Sequence, residues 1–173
     1  MTRKLGISPD VSYMLGIYNC NSSRSSSICV ATASNDMIER FVRIAAMLGT
    51  RPSAITITKE GYVTVASVNN SKLKKLFDNA LEKREKIFKY KNEYSASYFA
   101  AMFDCNGAAD SKGIFINGMK PYDSILLERI GFHTKTSRGK CYIRNALDFI
   151  MFISPLSIKA RTIHWPGNER DLR

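Results

Sequence analysis

The stretch YFAAMFDCNGA, Tyr98 to Ala108, opens as an apolar helix and stops at a Cys-Asn-Gly step, and a near copy, YMLGIYNCNSS, runs from Tyr13 to Ser23. The Asn residues after the shared Cys, Asn21 and Asn106, stand 85 positions apart. That interval is too long for a solenoid repeat and suits a duplicated half-domain. Residues four apart share a helix face, so Gly16 with Cys20, and Ala101 with Cys105, give each helix one slim side. Two slim sides can pack closely. Parallel pairing would then bring Asn21 and Asn106 side by side at the helix ends. An Asn before Gly107 or Ser22 is also an ordinary helix stop; its recurrence with the same interior pattern argues for a shared role.

The segments around the two helices also recur in order. After a Ser-rich turn, SSRSSS, the run ICVAT reads as a strand, and NDMIERFVRIAAMLG reads as a helix capped by Asn35 and ended by Gly49. AITITKEGYVTVAS predicts a hairpin turning at Gly61, with Ile55 and Ile57 inward on one arm and Val63 and Val65 on the other. A helix from about Ser71 follows. The second half offers the strand GIFIN, the helix YDSILLERIG, the hairpin HTKTSRGKCYI and the helix RNALDFIMFIS. Between the halves the Lys-rich KLKKLFDNALEKREKIFKYKNEY reads as a solvated helix face and linker that can touch phosphates nonspecifically. This places the boundary between halves at about residue 90, giving 1–90 and 91–173.

Composition narrows the function. The chain has 173 residues, 45% of them hydrophobic, which is enough for a real core. Its 26 Lys and Arg against 15 Asp and Glu leave a charge of +11, which favours a polyanionic partner. No apolar run reaches the length of a membrane span, and the first ten residues lack the apolar core of a signal peptide, so an intracellular protein without a membrane partner is expected. Cys20, Cys29, Cys105 and Cys141 form no CxxC pair, and with only His133 and His164 there is no zinc spacing; reduced, buried thiols are expected.

YMLGIYNCNS and YFAAMFDCNG resemble the two signature helices of the LAGLIDADG homing endonucleases in their single-chain, two-motif form. Gly16, Ala100, Asp104 and Gly107 match signature letters literally. The resemblance covers nearly the whole chain and implies an α+β fold of two pseudo-symmetric αββαββα halves. In that family the signature helices form a pseudo-twofold interface, and two antiparallel sheets make a saddle in the DNA major groove. It implies a metal-dependent endonuclease acting as a monomer on a long, nearly asymmetric duplex target, with Mg2+ or another divalent cation as cofactor. Host intron RNA is a further partner where such a protein serves as a maturase.

The acidic residue at the end of each signature helix holds that metal in the family, and the resemblance puts Asn21 and Asn106 there. Hydrolysis of a phosphodiester uses carboxylates to neutralise and hold the cation. An amide brings no charge, so metal affinity and cleavage should both fall. Three readings follow: both Asp exchanged for Asn so that uncut DNA is trapped, a natural DNA-binding, regulatory or RNA-binding maturase descendant, or an enzyme that works with amide ligands. Arg24 and Lys112 resemble the family's basic group near the scissile phosphate, and Asn117 its polar strand-end residue beside the metals. Ordinary surface roles fit these three equally well. For DNA contact, the outward strand residues are expected to be Thr56, Thr58, Tyr62 and Thr64 in the first half, and Lys135, Arg138, Lys140 and Tyr142 in the second, with Arg24 nearby. Trp165 in the tail is expected to dock on the protein surface.

Overall fold

The computed structural model describes residues 6–21 and 27–163. Arg24, the Ser-rich turn around it and Trp165 lie outside them. The first half runs α1 (Pro9–Asn21), β1 (Ile28–Thr32), α2 (Asn35–Met47), β2 (Ile55–Glu60), β3 (Val63–Val68) and α3 (Ser71–Glu82), and a short α4 (Arg84–Ile87) leads into the second. The second runs α5 (Glu93–Asn106), β4 (Gly107–Asp110), β5 (Gly113–Asn117), α6 (Pro121–Arg129), β6 (Thr134–Ser137), β7 (Lys140–Ile143) and α7 (Ala146–Ile153). The fold is α+β with two antiparallel sheets, ordered β1-β3-β2 and β4-β5-β7-β6. The second half spells αββαββα in full. In the first, the stretch between α1 and β1 includes residues 22–26, which lie outside the described residues.

Local chemistry explains the helix starts. Pro9 stands at the first position of α1, and Ser8 Oγ accepts the Val11 N–H at 3.2 Å. Asn92 and Ser95 form a capping box at the start of α5. For α2 the cap is Ser34, whose side chain accepts the Met37 N–H, and not Asn35, which already lies inside the helix. Helices α1 and α5 are buried on nearly all sides, α1 from Val11 to Asn19 and α5 from Ser95 to Asp104. Such helices belong in the middle of a core rather than on its surface. One apolar cluster spans both halves, with Tyr13, Leu15, Phe41 and Phe77 joined to Phe99, Phe103, Leu126 and Phe149.

The first hairpin corrects the predicted faces. Its turn has two residues, Gly61 and Tyr62, with φ of +64° at Gly61, and the register pairs Glu60 with Val63 and Ile57 with Ala66. Paired residues share a face, so the odd positions of β2 go with the even positions of β3. Ala66 and Val68 therefore enter the core beside Ile28 and Val30, while Val63 and Val65 lie on the opposite face. Thr64 falls on the core-side face with Ala66, not outward. Ile57 has the inward parity but sits on an edge strand past the helices and stays 54% exposed.

Candidate nucleic-acid interface and helix-end site

The paired helices α1 and α5 cross in close contact. A Cβ built on Gly16 would lie 2.7 Å from Ala101 Cβ and closer still to the Tyr98 carbonyl oxygen. One turn on, the Cys20 thiol meets Cys105, and this contact together with burial pushes the Cys20 thiol well up from its ordinary range. Gly16 with Ala101 and Cys20 with Cys105 keep the same sequence offset, so the helices run parallel in the register expected from the repeat. All four cysteines are free thiols, with Cys141 buried and the other three half-buried.

The pairing is tied at both ends by a reciprocal exchange. Tyr13 of α1 donates its hydroxyl to Asp104 of α5 at 2.6 Å, and Asn19 of α1 donates its amide to the Tyr98 hydroxyl of α5 at 2.9 Å. Tyr13 matches Tyr98, and Asn19 matches Asp104, in the repeat. Burial, with the Asp123 or Asp104 carboxylate beside it, raises each phenol far above its normal range. Both therefore act as hydrogen-bond donors.

The two ends differ in what else they hold. Asp104 also accepts the Ser157 hydroxyl at 2.5 Å and the main-chain N–H groups of Ile158 and Lys159 at 2.9 and 2.8 Å. Four donors around a buried carboxylate leave it fully satisfied. Asn19 instead organises cations. Its amide also donates to Asp123 Oδ2 at 2.8 Å, and its Oδ1 and main-chain carbonyl accept Lys120 Nζ at 2.9 and 3.0 Å. The fully buried Asp123 further accepts Tyr98 Oη at 2.8 Å and has Arg84 Nε 3.1 Å away. The Arg84 N–H is not aimed along a hydrogen bond, so that contact is an ion pair only.

A small recess opens where these elements end. Asn19, Cys20, Asn106, Asn117 and Lys120 line it. The structure thus brings Asn106 and Asn117 to one recess, and Lys120 lines it too, a cation that sequence reading missed. Lys112, chosen for that place, sits exposed in the β4–β5 turn with its N–H on Asp110 Oδ1 at 2.9 Å, and does not line the recess. Asn21 ends α1 as expected, but its amide turns back to donate to the Ile17 carbonyl at 3.0 Å, and it too is absent from the lining.

On the sheets, the faces turned away from the core carry the remaining candidates. Thr56 and Thr58 are exposed there beside Val65 and Ser67, and Tyr62 is 91% exposed at the turn. In the second sheet the register puts Lys135 opposite Tyr142, and Asn117 opposite Lys140, on one face, with Arg138 in the hairpin turn at φ +50°. Lys140 Nζ and Tyr142 Oη both meet Asp110 Oδ2 at 2.9 Å. The bond from Lys140, followed by those from the Lys112 N–H and Tyr142, pulls the Asp110 carboxyl down to about 2.

Comparison with solved structures agrees with this architecture. The homing endonuclease I-DmoI in complex with DNA and Ca superposes with a TM-score of 0.68 at 18% identity, covering 91% of this chain and 97% of that one. I-DmoI with DNA and Mn gives 0.64 at 18% identity over 88% and 98% of the two chains. The N-terminal LAGLIDADG domain of DUF199/WhiA gives 0.56 at 15% identity over 91% and 94%. The chain has the LAGLIDADG fold. No sequence-family profile and no curated protein sequence matches it.

The I-DmoI structures include complexes with DNA and Ca or Mn. The residues at the paired helix ends of this chain do not fit one. Hard cations are held by oxygens, and carboxylates supply the charge. Here the helix ends offer two amides, and an ammonium shares the recess. Among the described residues no group of three or more His, Cys, Asp or Glu is placed to hold a metal.

Proposed function

We propose that this chain binds a long double-stranded DNA site as a monomer through the outward faces of its two sheets, and that its helix-end site cuts the bound duplex very slowly or not at all. What supports the second part is that the two helix ends which the resemblance assigns to the metal carry the amides Asn21 and Asn106, and that the recess beside Asn106 is lined by Asn19, Asn117 and Lys120. The fold, the charge of +11 and the likeness to I-DmoI in complex with DNA support the first part. Lys135, Lys140, Tyr142, Thr56 and Thr58 supply donors of the types that reach base edges and phosphates. Two signature helices in one chain already provide the pseudo-twofold, so a second copy is not needed.

The test has two steps. A duplex recovered by binding selection should bind the purified chain with an affinity that falls steeply with salt, because each neutralised phosphate releases counterions. A flat salt dependence, or preference for structured intron RNA over the duplex, refutes the DNA reading. The bound duplex should then survive incubation with magnesium. Asn21→Asp with Asn106→Asp should add the charge that phosphodiester hydrolysis requires and produce cleavage. Rapid cutting by the unaltered chain would show that its amides suffice.

A further inference from the structure

We propose that the two sheets read chemically unlike half-sites, the first packing against thymine methyl groups and the second donating to guanine. This rests on the DNA-binding reading above and names the base content of the duplex that the chain takes.

The register of the first sheet lines up Ala31, Val65 and Thr58 in one row of its outward face, and Cys29, Ser67 and Thr56 in the next. Val63 stands opposite Glu60 at the turn end of the same face. Polar side chains ordinarily fill the solvated face of an antiparallel sheet. Here Ala31, Val63 and Val65, with the methyl-bearing Thr56 and Thr58, make most of it apolar, and Ala31, Thr56 and Thr58 are exposed. Among the described residues Glu60 is the only charged side chain at these strand positions, and a carboxylate accepts rather than donates. Lys59 has the opposite parity and goes with Ile57. Such a face offers little to the acceptor edge of a guanine. In the major groove the apolar feature is the thymine C5-methyl, and Ala and the Thr methyl are side chains that meet it.

The outward face of the second sheet is of another kind. Ala108, Phe115, Tyr142 and Lys135 form one row, and Asn117, Lys140 and Ser137 form another. Lys140 Nζ stands 4.1 Å from the centroid of the buried Phe115 ring and 2.9 Å from Asp110 Oδ2. These contacts hold the ammonium before DNA arrives, which lowers the ordering cost of binding. Asp110 also offsets its charge, so Lys140 serves more as an oriented donor than as a neutraliser of phosphate. Lys135 and the turn residue Arg138 are exposed on the same hairpin. Guanine presents N7 and O6 as acceptors in the major groove, and Lys or Arg is the side chain that meets them.

One duplex lying along both faces thus meets methyl groups under one half of the protein and cations under the other. The two halves of its target should therefore differ in base content, although the fold that reads them is pseudo-symmetric.

Selection of duplexes from a random pool, followed by equilibrium binding of the selected site, tests this. The site should have one half rich in A·T pairs and one half carrying guanines. Uracil in place of thymine removes only the C5-methyl, and in the A·T half it should weaken binding about fourfold for each methyl that the sheet covers. Thr58→Ser, which deletes a methyl and keeps the hydroxyl, should shrink this thymine-to-uracil ratio, and so should Val65→Ala from the same row. Both duplexes are measured on the same variant, so a folding defect cancels from the ratio. In the other half 7-deazaguanine removes N7 and should weaken binding, a penalty that Lys135→Met combined with Lys140→Met should shrink. Half-sites of like composition, a thymine-to-uracil ratio of one, or a ratio that both Thr58→Ser and Val65→Ala leave intact would overturn the proposal while leaving DNA binding intact. A 7-deazaguanine penalty unchanged by the two Lys substitutions would overturn it as well. Failure of the unaltered chain to bind duplex at all would overturn the DNA reading and the half-site proposal with it.

Discussion

Gly16→Ala is the smallest change that tests the helix crossing. The added methyl would sit 2.7 Å from Ala101 Cβ and nearer still to the Tyr98 carbonyl oxygen, and neither atom can swing away, because one is a helix backbone atom and the other is fixed to it. Ordinary contact needs 3.4 Å or more, so α1 and α5 must separate by roughly 1 Å. A radial gap of that size forfeits about a quarter to a half of the dispersion energy across a packed surface. Overpacking of this kind costs about 1–3 kcal/mol or more, against about 1 kcal/mol gained in helix propensity. A net loss near 1 kcal/mol corresponds to a drop of roughly 2–4 °C for a chain of this length. Thermal unfolding by circular dichroism reads it directly. Adding Ala101→Gly should recover only part of the loss, since the clash with the Tyr98 carbonyl remains. A melting temperature equal to or above that of the unaltered chain would refute the close crossing.

Two further substitutions probe the polar anchors. Asp104→Asn would aim an N–H2 group at one of four donors that now meet the carboxylate, which should destabilise by about 2–4 kcal/mol in a urea titration; a loss below about 0.5 kcal/mol would mean that the C-terminal turn is not anchored there. Asp110 titrates low in the folded chain, so its contribution is complete above the unfolded value of about 4 and is lost as pH falls towards about 2. The melting temperature of Asp110→Asn should accordingly lie below that of the unaltered chain near neutral pH and converge with it across that acidic window. A constant gap through the window would contradict the ion pair with Lys140.

The helix pair was legible in the sequence because its signal is a repetition, and a repeated Gly16/Cys20 and Ala101/Cys105 spacing fixes both face and register. Strand faces were harder. Alternation located β2 and β3, but which parity of β3 points inward depends on whether the turn holds two residues or three, and the Gly61–Tyr62 turn holds two. Counting back from Gly61 at the first turn position gives the right answer; in the second hairpin the turn expected over Ser137 to Gly139 holds only Arg138 and Gly139, because Ser137 pairs with Lys140, and Lys135, Lys140 and Tyr142 share one face. Lys120 escaped notice because a Lys before Pro121 looks like a surface residue at a helix start. Its place follows from tertiary contacts with Asn19, which lies 101 positions away. Asn19 itself was hidden beside Asn21, though its alignment with Asp104 marked it as the second half of a pair.

The exchange of hydroxyl and amide between the paired helices is unequal, and the inequality decides which half could stand without the other. Asp104 takes three of its four donors from its own half and only the Tyr13 hydroxyl from across the interface. In a homodimer of second halves Tyr98 would fill that role, and an Ala101–Ala101 crossing would ask only that the helices stand somewhat farther apart. Asn19 draws Tyr98, Lys120 and Asp123 from the opposite half. A pair of first halves would find a Tyr to replace one of these, but position 35, which corresponds to Lys120 in the repeat, is Asn. The two halves have thus stopped being interchangeable: the anchor of the second closes mostly within itself, while the anchor of the first reaches across to residues its own repeat does not carry.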